Sequence, residues 1–294
     1  MKPVRASILA LLAPVLILLA AADATLAQRP ATPRPLQIAR MLRTGGGVEF
    51  SFVGAKGGRA PLLVVLGGDR KTTIEREDYN AIGALVAKHG FVQASLDLPC
   101  HGDDSRPGEP QGLAGWRARL EKGERLFGTF TARISAIVDY LAQEGDADAA
   151  RVAVCGSSRG GFSALHAAAA EPRLRYVIAF SPVTDLLALR EFQGIADPAP
   201  ARALDAMLLA ERLADRNVWI SMGHNDERVG SRHAIDFALR LMELSPRRKE
   251  AMTHFWSIDD ILLTVGPSQG AGGHSTHRNA HEEAAAWLLR RVGQ

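Results

Sequence analysis

Residues 151–170 read "RVAVCGSSRGGFSALHAAAA". An apolar run enters a pair of serines set between glycines, and an alanine-rich run leaves it. The first part predicts a buried strand and the last a helix, with a sharp turn between them. Outward from this stretch the same alternation repeats. Apolar runs at 47–54, 60–68, 91–99, 174–182, 217–223 and 260–266 predict further strands. Segments 78–90, 123–145, 231–244 and 277–292 have helical spacing, and two of them close on glycine. Continuous apolar strands alternating with helices imply a mostly parallel sheet covered on both faces. In such sheets the chemistry gathers at the carboxyl ends of the strands.

Gly156-Ser157-Ser158-Arg159-Gly160 fits G-x-S-x-G only with Ser158 at its centre. A serine on a tight strand-to-helix turn needs small residues two before and two after it. Its hydroxyl then stands above the sheet at the positive end of the next helix. A nucleophilic serine needs a base, and the base needs an orienting acid. On this architecture they follow in the order Ser, acid, His. Asp226, in "VWISMGHNDERVG", directly follows a strand. His274, in "LLTVGPSQGAGGHSTHR", follows the last strand through a glycine-rich loop. His277 and His224 are rivals for the base, and Asp185 in "SPVTDL" is a rival for the acid, with a helix N-cap as its plainer role. His277 and His281 share a helix face. A metal cluster of His274, His277 and His281 lacks a further carboxylate or cysteine, so the sequence calls for no cofactor and no metal.

Acyl transfer also needs donors for an oxyanion. One is the backbone N–H of Arg159, and the other comes from the "LGGD" loop, at Gly68 or Asp69. "LDLPCHGDDSR" places Asp97, His101 and Asp103 in another strand-end loop, where such residues brace the rim by local hydrogen bonds. "GSSRGG" has neither a P-loop ending nor a dinucleotide fingerprint. Trp116 is a pocket candidate or a core residue.

The 294-residue chain has a formal net charge of +3 with scattered Lys and Arg, which argues against nucleic-acid binding. Residues 1–27 read as a signal peptide. Lys2 and Arg5 precede an apolar run over 7–22 that holds Pro14, and small residues follow, with cleavage after Ala24 or Ala27. The run is too short for a spanning anchor, so the expectation is export to the periplasm or medium, without membrane insertion after cleavage. Residues 28–40 read as a proline-rich linker and 41–294 as one catalytic domain. Cys100 and Cys155, the only two cysteines, each end an apolar run and read as free buried thiols.

"VAVCGSSRGGFSALHAAA", "VIAFSPVTDL", "GHNDERVG" and "GGHSTH" together resemble the α/β-hydrolase superfamily, closest to its prolyl-oligopeptidase-like and dienelactone-hydrolase-like groups. "LDLPCHGDDSR" is similar to that superfamily's Asp-x-Pro-Gly-His-Gly loop, with Cys100 where glycine is common. The likeness spans residues 47–292. It implies an α/β-hydrolase fold with about eight strands, and Ser158, Asp226 and His274 as nucleophile, acid and base. The chain has no room for the propeller domain of prolyl oligopeptidases, and residues 245–260 are an added run between acid and base. The expected reaction is hydrolysis of a carboxylic ester, or of a peptide bond in a short peptide, through an acyl-enzyme. The partner is a small-molecule ester or short peptide. A non-catalytic binding protein on the same fold is the alternative from another class. Residues 183–212 are read as a short lid or an enlarged crossover.

Overall fold

The computed structural model describes residues 39–247 and 260–293. The signal expectation (1–27) lies outside them, as does the linker up to residue 38 and most of the added run. Arg40, placed at the linker's end by composition, already begins a strand.

The strands are β1 (Arg40–Arg43), β2 (Glu49–Val53), β3 (Ala60–Leu66), β4 (Val92–Ser95), β5 (Ala147–Ser157), β6 (Leu174–Phe180), β7 (Asn217–Gly223) and β8 (Ile261–Gly266). They form one eight-stranded sheet in the order β1-β2-β4-β3-β5-β6-β7-β8. β1 and β2 pair antiparallel, and β2 joins β4 antiparallel. Every pairing from β4 through β3 to β8 is parallel. The parallel strands deliver all their carboxyl ends to one edge.

The helices are α1 (Arg70–Glu75), α2 (Glu77–Ala87), α3 (Gly112–Glu121), α4 (Leu126–Gln143), α5 (Arg159–Ala170), α6 (Ala199–Arg202), α7 (Ala210–Leu213), α8 (Ser231–Leu244) and, last, α9 (Ala280–Val292). Side chains alternate across the sheet, as strand geometry requires. Leu62, Val64 and Leu66 of β3 point into one core with α4 and α5, while Leu63 and Val65 point into the other with α2 and α9. Helix α4 buries Phe127, Phe130, Ile134, Ile137, Val138 and Leu141 along one face. That stripe repeats every three to four residues and fixes α4 against the sheet. Among the described residues no helix is long and apolar enough to cross a membrane.

Residues 183–212 do not form a lid over the strand ends. They run as 3-10 turns at Leu186–Ala188, Arg190–Phe192 and Ala206–Leu209, with the short helices α6 and α7. Val183, Leu186, Leu189 and Phe192 are buried in the α4/α5 core, and this pulls the segment down onto the body. Arg117 of α3 donates to the carbonyls of Glu191, Gln193 and Gly194, which closes the segment against α3. Trp116 is fully buried beside Phe127 and Phe162, and its Nε1–H donates to Pro99 O at 2.6 Å. It is a core residue. Cys100 and Cys155 are buried and unpaired, and burial pushes the Cys100 thiol up to about 12.

Candidate active site

Ser158 sits where β5 meets α5, with φ +55° and ψ −117°. Such a backbone state costs a non-glycine residue about 1–3 kcal/mol, so its surroundings must hold it. Its N–H donates to Phe180 O at 2.8 Å. Its carbonyl accepts from Phe162 N at 3.1 Å and Val183 N at 3.2 Å. The flanking glycines have a steric cause. A Cβ on Gly160 would lie 2.0 Å from Leu66 O, and one on Gly156 would lie 2.3 Å from the Gly160 carbonyl carbon. Only hydrogen fits there, so the G-x-S-x-G spacing reflects the packing of β3 against the turn.

Asp226 follows β7 and is buried, at 3% exposure. Its Oδ1 accepts from the N–H groups of Arg228 (2.9 Å) and Val229 (3.1 Å). Its Oδ2 lies 2.8 Å from His274 Nδ1. His274 Nε2 is 3.0 Å from Ser158 Oγ. A carboxylate only accepts, so Nδ1 carries the ring proton and Nε2 offers its lone pair to the serine. The structure thus brings Ser158, His274 and Asp226 into one hydrogen-bonded chain from three separate strand ends.

The rivals go elsewhere. His277 Nε2 pairs with Glu283 at 2.9 Å and its Nδ1 faces Ser221 Oγ at 3.3 Å. His224 is exposed, and its Nδ1 accepts from Ser268 N at 3.0 Å. Asp185 caps the turn after it, accepting from Leu187 N at 2.8 Å. His281 packs on Phe180 with ring centroids 4.4 Å apart, and burial holds its ring below the usual histidine range. His274, His277 and His281 therefore turn to three different partners. Among the described residues no cluster of three His, Cys, Asp or Glu side chains could hold a metal ion.

Arg159 N–H opens α5, where the first backbone donors have no intrahelical acceptor. Of the two candidates in the β3 loop, Gly68 is the weaker. Its N–H donates to Thr73 Oγ1 at 3.1 Å, inside the protein. Asp69 N–H donates to no backbone carbonyl and reaches its own carboxylate, so of the two candidates it is the less committed. Burial opposes ionisation of the Asp69 carboxyl, but hydrogen bonds from Thr72 N–H, the Thr72 hydroxyl and its own N–H together outweigh it and hold that carboxyl below the usual range. Asp97 accepts from the N–H groups of Arg70 (2.7 Å) and Asp103 (3.0 Å) and pairs with the Arg70 guanidinium, bracing the rim loop.

Ser158 and His274 open into a cleft of about 790 Å³. Its walls include Tyr79, Arg159, Phe180 and His281. No residue of 183–212 lines it. Two supporting residues had no signature in the sequence. Ser231 accepts from Asp226 N (2.7 Å) and donates to Gly223 O (2.6 Å), which fixes the Asp226 backbone. Tyr79, at the start of α2, faces the cleft from an element that sequence assigns only to the body.

Residues 46–254 match the model of the Esterase family, described as "Putative esterase". The chain belongs to that family. It is a serine hydrolase on the α/β-hydrolase fold. The matched region includes Ser158 and Asp226 and ends before His274. No curated protein sequence matches the chain. Among solved structures, 2,6-dihydroxy-pseudo-oxynicotine hydrolase is similar at 22% identity and a TM-score of 0.57, over 87% of this chain and 68% of that one. A cold-adapted esterase from an Arctic intertidal metagenomic library is similar at 18% identity and 0.58, over 86% and 92%. The acylaminoacyl peptidase of Pyrococcus horikoshii is similar at 15% identity and 0.60, over 86% of this chain but only 41% of that one. At these identities the likeness carries the fold alone.

Proposed function

We propose that this esterase-family chain hydrolyses small carboxylic esters through Ser158, His274 and Asp226. The observation that carries the reading is the unbroken chain from Ser158 Oγ through His274 (3.0 Å) to the buried carboxylate of Asp226 (2.8 Å). His274 Nε2 takes the hydroxyl proton as Oγ attacks the ester carbonyl. The N–H groups of Arg159 and Asp69 face the developing oxyanion. The tetrahedral adduct collapses, and the alcohol leaves with the proton from His274. Water then attacks the acyl-enzyme with His274 again as base, releasing the acid and regenerating Ser158. Asp226 fixes the ring's orientation and stabilises its cationic form.

The segment between β6 and β7 packs away from the cleft, which favours small, open substrates and esters over polypeptide chains. Residues 1–27 support export as the setting. Active-site labelling with a fluorophosphonate tests the chemistry. Labelling of the wild type and of Ser157→Ala, and its loss in Ser158→Ala, is the expected pattern. A folded wild type that takes no label refutes the reading and favours a non-catalytic binding protein. Faster turnover of short-chain aryl esters than of peptide amides separates esterase from peptidase. N-terminal sequencing of the secreted product, expected to begin just after Ala24 or Ala27, tests export.

A further inference from the structure

Four arginines hold a buried side-chain nitrogen with no hydrogen-bond partner: Arg70, Arg159, Arg216 and Arg228. Three of them still neutralise their charge elsewhere, on Asp97, Asp215 and Glu191. Arg159 does not. Its Nε is buried and bare, and none of its side-chain nitrogens reaches an acceptor or a carboxylate among the described residues. Its guanidinium lies against the β3 loop, where a Cβ on Gly68 would come within 3.4 Å of Arg159 Nη2 and 3.4 Å of His101 Cδ2. The acids in reach of the cleft are otherwise engaged or exposed. Asp69 turns its carboxylate to Thr72 N, Asp78 pairs with Arg76, and Glu77 is open to solvent, where its field is screened. His101 supplies no negative charge either. Its Nδ1–H donates to Pro99 O at 2.8 Å, and burial, with the nearby Arg159 charge, holds the ring's pKa below the usual histidine range. A partly buried guanidinium without a partner is costly to keep. A planar fork of N–H donors at the nucleophile's shoulder is complementary to a carboxylate.

We infer that the Arg159 side chain is a carboxylate-binding subsite for the acyl half of the substrate, so that half-esters of short dicarboxylic acids are the preferred class. The inference rests on the esterase reading above. The sheet order decides which half of the ester is held. β3 and β8 lie on opposite sides of β5. The departing alcohol must reach His274, which comes from the β8 side. Arg159 reaches the other way, to Gly68 and His101 after β3 and β4. A group seated on it therefore belongs to the acyl chain.

Monomethyl and dimethyl esters of succinate, glutarate and adipate differ chiefly in one carboxylate and test this directly. Wild-type enzyme is expected to show kcat/KM at least tenfold higher, per ester group, for the best half-ester than for its diester. Arg159→Met is expected to lower that ratio at least tenfold, and Arg159→Lys to keep part of it. A wild-type ratio near one, or a ratio that Arg159→Met leaves unchanged, overturns the subsite. Where Arg159→Met does not fold or turn over, protection of wild-type Ser158 from a fluorophosphonate decides. Protection by glutarate and not by glutaramide supports the subsite, and equal or absent protection overturns it. Ser158 labelling together with diester turnover and no half-ester preference removes the subsite alone. A wild type that takes no label removes the chemistry beneath it.

Discussion

The Ser158 turn and the His274 loop meet at one hydrogen bond, yet they are held in opposite ways. Ser158 is fixed by its own neighbourhood. Its N–H and carbonyl are both bonded, and glycines two before and two after it are pressed against Leu66 and each other. His274 ends a stretch in which Gly270, Gly272 and Gly273 all have positive φ. That stretch gains its shape by leaning on the acid loop, through Glu227 N to Gly272 O at 2.8 Å and Asn225 N to Ser268 Oγ at 2.7 Å. Ser158 is thus positioned by local packing, and His274 by contact with a loop over forty residues away in sequence. Stability should follow the first region and turnover should respond to both.

Ser158→Ala should make the widest break, lowering kcat by about 10⁵-fold or more while the melting temperature holds. Asp226→Asn should cost about 10⁴-fold, because the amide no longer selects the tautomer with Nε2 free. His274→Ala should be comparably impaired and His277→Ala close to wild type, and the reverse result would reassign the base. Gly160→Ala attacks the anchored side. Its Cβ would meet Leu66 O at 2.0 Å, and a loss of about 3 kcal/mol in urea unfolding is expected. A loss under about 1 kcal/mol would mean the turn is not held as described. Gly273→Ala probes the leaning side. Its Cβ would meet Asn225 O at 2.1 Å at φ +69°, and kcat/KM should fall about 30-fold, or about 2 kcal/mol, with a smaller change in stability. Gly272→Ala would place its Cβ in ordinary contact with Glu227 Cβ at 4.0 Å and should cost only the strain of positive φ, about 1 kcal/mol.

The remaining effect is expected in acid, and on the anchored side. His166 lies in the buried face of α5, stacked on Phe127 at 4.5 Å, with Nε2–H donating to Leu204 O at 3.0 Å. Burial pushes its pKa down to about 4. The folded state therefore binds the proton less readily than the unfolded chain, whose histidine titrates near 6.5. Stability from this group is complete above that value and is lost as the pH falls from about 6.5 toward 4. Between pH 7 and 5 the loss should be about 2 kcal/mol. Urea midpoints of wild type and His166→Gln at the two pH values check it, and parallel pH dependence in both would exclude His166 as the source.

The Ser158 turn was legible in sequence because its constraint is local: glycine spacing, an apolar strand and an alanine-rich helix lie within twenty residues. Asp226 and His274 were legible through their order and strand-end placement, although only distances separate His274 from His277. The oxyanion loop was half legible. "LGGD" marks the loop, but the commitment of Gly68 N–H to Thr73 depends on how α1 folds back, and no pattern in the six residues of α1 announces it. Strand β1 escaped because "RMLR" is short and half exposed. Residues 183–212 left a short lid and an enlarged crossover open, because a segment between two strands fits either. Val183, Leu186, Leu189 and Phe192 point inward, as buried side chains under a crossover.

The sheet order has one more consequence, in time. Synthesis runs from the amino end, and early structure can form before the rest emerges. β3, β4, β5 and α5 precede β7 and β8 in the chain, so the strained turn at Ser158 can be assembled while Asp226 and His274 are still to come. β8 joins at the sheet's far edge, beside β7 alone. A nascent chain can therefore hold Ser158 in place and, under the proposed function, remain inert until that last edge strand docks and carries His274 across.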